Sequence, residues 1–142
     1  MTAPLDNLVR IGQLKPEPPA RDETRSYLRK AAMYLRDAEL DGMSPAGRFM
    51  LAYDAAHSLA FAALRAQGYR PDASRGHRAV VFQTLEVTVG APKELWVALD
   101  RYHTRRNASE YAGMVEASAA EADDLLELAR QLEVLCNRAF GN

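Results

Sequence analysis

Between Ala52 and Leu64, six of the thirteen residues are alanine. Alanine is the strongest helix former, and its short side chain lets a second helix approach closely. The spacing predicts a buried helix over 45–67. Ser44-Pro45 starts it, with serine as the cap and proline in the first turn, and Gly68 ends it. The whole chain shares this bias: 25 alanines and 17 leucines stand against 14 valines, isoleucines and threonines combined. A chain so poor in β-branched residues is expected to be all-α.

Proline and glycine cut the rest into further helical segments. Leu5, Leu8, Ile11 and Leu14 recur at helical spacing over 3–14, and Lys15-Pro16-Glu17-Pro18-Pro19 then stops that helix. Residues 1–19 therefore read as an arm with a short helix and a proline-rich linker, and 20–142 as the helical body. Over 20–40, Tyr27, Leu28, Ala31, Ala32, Leu35 and Ala38 form an apolar stripe closed by Gly42. Arg70 to Ser74 reads as a turn. A shorter helix is expected over 76–89, although Val80, Val81, Val87 and Val89 would equally suit a strand. Leu95, Leu99 and Tyr102 mark a helix over 92–112. Ser118 and Glu121 have capping-box spacing before a last helix over 119–140, built on Leu125, Leu128, Leu132 and Leu135. About five helices with short connections imply an antiparallel up-and-down bundle.

At 142 residues the chain is one domain's length, large enough for a core without metal or disulfides. Cys136 is the single cysteine, which excludes an internal disulfide and multi-cysteine metal sites. No apolar run is long enough to span a membrane, and no signal pattern is visible at the start, so a cytoplasmic location is expected. Histidines stand only at 57, 77 and 103, without metal-ligand spacing, and no glycine-rich phosphate loop or serine nucleophile elbow is present. No metal and no cofactor is expected. His57 reads as a core histidine; Met33, Met43, Met50 and Met114 as core or cap fillers; and Trp96 as core or dimer interface.

The net charge is only −1, so any nucleic-acid contact must come from a local patch. From Arg65 to Arg106 there are eight basic and four acidic residues, while from Glu110 onward there are seven acids and two arginines. The middle of the chain is thus the place to seek a phosphate-bearing partner, with Arg101, Arg105 and Arg106 as its candidate contacts. On a helix, Arg106 continues the face of Leu95, Leu99 and Tyr102, while His103, Asn107 and Tyr111 form a polar stripe beside it. An arginine, an imidazole, a carboxamide and a phenol gathered there could bind a phosphodiester and move its protons.

Four pieces of the chain, in this order, resemble the HEPN superfamily of small α-helical bundles. They are Arg48-Phe49-Met50-Leu51-Ala52-Tyr53-Asp54-Ala55-Ala56-His57, Gly68-Tyr69-Arg70-Pro71, Gly76-His77-Arg78 and Arg106-Asn107-Ala108-Ser109-Glu110-Tyr111. The resemblance implies a HEPN-like bundle. It also implies a motif of an arginine, a polar residue and a later histidine lining a cleft between two protomers and cutting RNA without metal. Many such proteins are toxins paired with a nucleotidyltransferase antitoxin, or act in phage defence.

Arg106 and Asn107 match the first two motif positions. At the histidine the chain departs: Tyr111 stands five residues after Arg106, followed by Ala112 and Gly113. A phenol with a pKa near about 10 is a poor base at neutral pH. His103, one turn earlier, is the candidate substitute, whereas Arg70 and His77 span a proline-containing turn and are set aside. The catalytic-type set is therefore Arg106, Asn107, Tyr111 and His103. The expectation is an RNA- or nucleotide-binding protein of a toxin–antitoxin or defence system, with weak or no ribonuclease activity. The alternative is a non-catalytic module that binds a nucleotidyltransferase or another protein. A homodimer is expected because Arg106 lies on an apolar face, and the 92–112 helix is its expected interface.

Overall fold

The computed structural model describes residues 3–72, 78–111 and 116–141. Among these, helices α1 (Ala3–Arg10), α2 (Arg21–Asp37), α3 (Pro45–Ala66), α4 (Arg78–Gln83), α5 (Leu85–Thr88), α6 (Lys93–Tyr111) and α7 (Ala119–Phe140) account for most of the chain. Strands β1 (Leu14–Pro16) and β2 (Tyr69–Pro71) form a two-stranded antiparallel ribbon. His77, Ala112, Gly113 and Met114, and the side chain of Tyr111, lie outside the described residues.

Long α3 is the axis of the fold and packs most extensively against α2 and α7. Its alanines face these neighbours: Ala52, Ala55, Ala56, Ala60 and Ala62 are fully buried. Ser44 accepts a hydrogen bond from the Gly47 amide at 3.0 Å, satisfying one of the orphan donors of the first turn. Side-chain contacts fix the helix directions. The start of α3 meets the end of α2 where Arg48 Nε donates to the Ala38 carbonyl at 3.2 Å. Its far end meets the start of α2 where Arg65 Nε donates to Glu23 at 2.6 Å, so α2 and α3 run antiparallel. Tyr102 of α6 donates to Asp124 of α7 at 2.6 Å, and Arg105, one turn later, pairs with Glu121, one turn earlier. These two helices are antiparallel as well.

Several sequence expectations need correction. Lys15-Pro16, read as a helix stop, belongs to β1, which pairs Leu14 with Pro71 and Pro16 with Tyr69. The segment read as a turn at Arg70-Pro71 is its partner strand. Prolines fit here because a two-stranded ribbon has only edges. The fold is therefore predominantly helical with a small sheet, and α1 stops at Arg10 rather than reaching Leu14. The helix expected over 76–89 is two short pieces that break at Thr84, whose hydroxyl donates to the Val81 carbonyl at 3.1 Å instead of projecting from a continuous helix. Met33, read as a core or cap filler, is 46% exposed.

The arm is packed against the helical body. Leu5 and Leu14 are 0% and 1% exposed, within the same core as α3 and α7. Gly68, at φ 91°, supplies the left-handed residue that turns the chain from α3 into β2. Beneath this turn Arg65 is 1% exposed. Besides Glu23, it donates to the carbonyls of Glu17 at 3.1 Å, Pro18 at 2.9 Å and Tyr69 at 3.2 Å. Arg70 adds hydrogen bonds of 2.7 Å to both Glu17 and Glu23. A guanidinium can be buried here because acids and carbonyls surround it.

Candidate nucleic-acid interface

Where α3 and α6 meet, the two helices place an aromatic and polar cluster. Tyr53 and His57 are one turn apart on α3 and share a face; His103, Arg106 and Asn107 occupy one face of α6. Phe82 of α4 closes the cluster, with its ring centroid 6.3 Å from Tyr53, 6.2 Å from His57 and 5.7 Å from His103. The Tyr53 and His103 rings stack at 5.9 Å with an interplanar angle of 17°. The Arg106 guanidinium lies 4.8 Å from the centroid of the Tyr53 ring, within cation–π range.

A chain of hydrogen bonds runs through these side chains. Arg106 Nη1 donates to Asn107 Oδ1 at 3.4 Å, Asn107 Nδ2 meets His103 Nε2 at 3.3 Å, and His103 Nδ1 meets the Tyr53 hydroxyl at 2.5 Å. Their polarity follows from the arginine. A guanidinium only donates, so the Asn107 oxygen must face it and the amide nitrogen must face His103. His103 Nε2 therefore accepts, Nδ1 carries the proton, and that proton is donated to the Tyr53 oxygen. One fixed charge thus sets an amide orientation and an imidazole tautomer.

The four catalytic-type candidates are distributed unevenly. Arg106 and Asn107 are half-buried and joined to each other. His103 is 4% exposed, with both ring nitrogens engaged inside the protein. Tyr111 ends α6, and nothing further is described of its side chain. Tyr53 and Phe82 complete the cluster without having been singled out from sequence, and His57 joins them half-buried rather than sealed in the core. The available signal was the Tyr53 and His57 pair, spaced one turn apart on an otherwise alanine-rich helix.

The basic stretch is weaker in space than along the chain. Arg65 and Arg70 are matched by Glu17 and Glu23, which come from the arm and α2. Arg105 pairs with Glu121, donates to the Glu116 carbonyl at 2.7 Å and stacks 5.6 Å from the Phe49 ring. Arg101 is exposed and Arg106 half-buried. Beside them, burial and the neighbouring Asp124 carboxylate push the Tyr102 phenol up to about 12.

Among the described residues, no group of three or more histidine, cysteine, aspartate or glutamate side chains could hold a metal ion. No described helix is long and apolar enough to cross a membrane. Compared with protein-family models, curated proteins and solved structures, the chain finds no match.

Proposed function

We propose that this chain is a HEPN-like helical protein that binds RNA or a nucleotide at the seam of α3 and α6, with little or no cleavage. The observation that supports this reading best is the ordered chain from Arg106 through Asn107 and His103 to Tyr53. In it Arg106 supplies a fixed positive charge for a phosphodiester, and Asn107 holds the guanidinium in register. His103 acts as a buried support and not as an acid or base, because both its nitrogens are committed within the protein. In the sequence Tyr111 takes the motif's histidine position, and a phenol in place of an imidazole forfeits help typically worth about 10²–10⁴-fold.

The reading includes a homodimer across α6 and a role in a toxin–antitoxin or defence system. Incubation of the pure protein with total RNA, beside Arg106→Ala and Tyr111→His, tests it. Binding without efficient cleavage is expected, with cleavage rising in Tyr111→His. Efficient cleavage by the wild-type protein would overturn this reading of the site. A second reading, a non-catalytic module for a nucleotidyltransferase or other protein partner, draws support from one observation. Arg105 is committed to Glu121, which leaves α6 less basic than its sequence.

A further inference from the structure

Folding leaves a line of uncompensated positive charge along α2. Arg48, Arg65, Arg70, Arg105 and Arg130 are each paired with an acid. By contrast, Arg21, Arg25, Arg29 and Arg36 are exposed and make no ion pair among the described residues. At about 100° per residue, these four fall within one arc of about 80° on the helix. Exposed Ala32 is the one other α2 residue in that arc, and no acid of α2 shares it. Asp22 and Asp37 each lie about 100° round from the neighbouring arginine.

Acids close to the stripe are taken by arginines elsewhere. At the start of α2, Glu23 is held by Arg65 and Arg70. Just past its end, Glu39 pairs with Arg130 of α7 at 2.7 Å. Glu133 of α7 lies 3.7 Å from the same arginine. The packing of α2 against its neighbours therefore neutralises these acids and leaves the four arginines their full charge.

The spacing fits a polyanion. Arg21, Arg25 and Arg29 follow one another at four residues, about 6 Å along the axis, and Arg36 extends the line to roughly 22 Å. The four-residue step is close to that between neighbouring phosphates on a nucleic-acid strand. Guanidinium groups match phosphate oxygens in geometry, and the small Ala32 side chain lets the strand pass close to the helix. We propose that this face of α2 docks the sugar–phosphate backbone of an RNA strand, holding about three or four phosphates without reading sequence. That the polymer is RNA rests on the proposed function; the surface itself is on a different helix from Arg106.

Fluorescence anisotropy of the full chain with labelled single-stranded RNA, over a range of salt concentrations, tests the proposal. The stripe variant combines Arg25→Gln, Arg29→Gln and Arg36→Gln. Glutamine is a good helix former, so the helical circular dichroism spectrum should be kept. A control combines Arg10→Gln, Lys15→Gln and Lys93→Gln, exposed residues that remove the same charge from α1, β1 and α6. In the stripe variant, low-salt affinity should fall roughly 10- to 100-fold. The slope of log Kd against log salt should drop by about 2, at about 0.7 per phosphate contact on a single strand. Two RNAs of unrelated sequence should lose affinity equally, and the control should bind as wild type does. A stripe variant with the wild-type affinity and salt slope overturns the proposal. An equal loss in the control also overturns it, because the effect would then be one of net charge. Loss in Arg106→Ala but not in the stripe variant sinks this surface and leaves the proposed function standing. Loss in the stripe variant while Arg106→Ala binds normally keeps this surface and sinks the seam of α3 and α6. A wild type without affinity for RNA overturns both.

Discussion

The Tyr53 hydroxyl and His103 Nδ1 lie 2.5 Å apart, joining the middle of α3 to the middle of α6 with His103 almost wholly buried. This bond ends the chain that begins at Arg106, so it couples the position of a surface-reaching cation to the packing of two helices. Phe82 covers the pair and keeps water from competing for it.

Tyr53→Phe removes the acceptor and leaves a buried imidazole N–H without its partner. Stability should fall by about 1–3 kcal/mol. Urea unfolding checks this, and an unchanged midpoint would show that the bond contributes nothing. Because the ring that stacks under Arg106 is retained, the helical circular dichroism spectrum should be preserved.

The clasp around Arg65 predicts a larger loss. Arg65→Ala leaves the Glu17, Pro18 and Tyr69 carbonyls without their donor and Glu23 with Arg70 alone, and should cost about 3–5 kcal/mol. Limited proteolysis near residues 10–20 should accelerate as the arm loosens, and equal cleavage rates in variant and wild type would contradict the account.

Acid should weaken the same clasp. The Arg70 hydrogen bond holds the Glu17 carboxyl below its usual range. At Glu23, burial pulls upward but is outweighed by hydrogen bonds from Arg70 and Arg65, and the net direction is again down. A hydrogen bond from the Ser118 amide lowers Glu121 likewise. Carboxyls depressed in the folded state bind fewer protons than in the unfolded chain. Their stabilisation is therefore complete above the unfolded value and is lost as pH falls through the folded values. Tm should be flat near neutrality and drop progressively below about pH 5. Arg70→Met should start lower and show a shallower acid slope; a slope equal to wild type would contradict the clasp.

Cys136 should be inert in the native protein. Burial pushes its thiol up to about 12, and its Sγ lies 3.7 Å from the Leu59 carbonyl, to which it donates. Alkylation by iodoacetamide at neutral pH should be negligible until denaturant is added, because the thiolate is the reactive species.

Local signals carried the helices, and long-range pairings did not announce themselves. The α7 start was legible because its capping box lies within four residues: Ser118 accepts from the Glu121 amide at 3.1 Å, and Glu121 accepts from the Ser118 amide at 2.9 Å. The ribbon was not legible, since Leu14 meets a partner at Pro71 that no nearby pattern specifies. Charge behaved in the same way. Arg65 and Arg70 read as a free basic patch because Glu17 and Glu23 are far away in sequence. Arg106 and Asn107 were legible as a pair on α6, whereas Tyr53 acquires its part only when folding brings His103 to it.

The central claim, that Arg106 presents a fixed charge to a nucleic-acid phosphate, is tested most directly by fluorescence anisotropy. A labelled single-stranded RNA would be titrated with wild type and Arg106→Ala over a range of salt concentrations. The account predicts measurable wild-type binding that weakens steadily with salt, and loss of most of that binding in Arg106→Ala. Binding that is equal in the two proteins, or absent from the wild type at low salt, would contradict it.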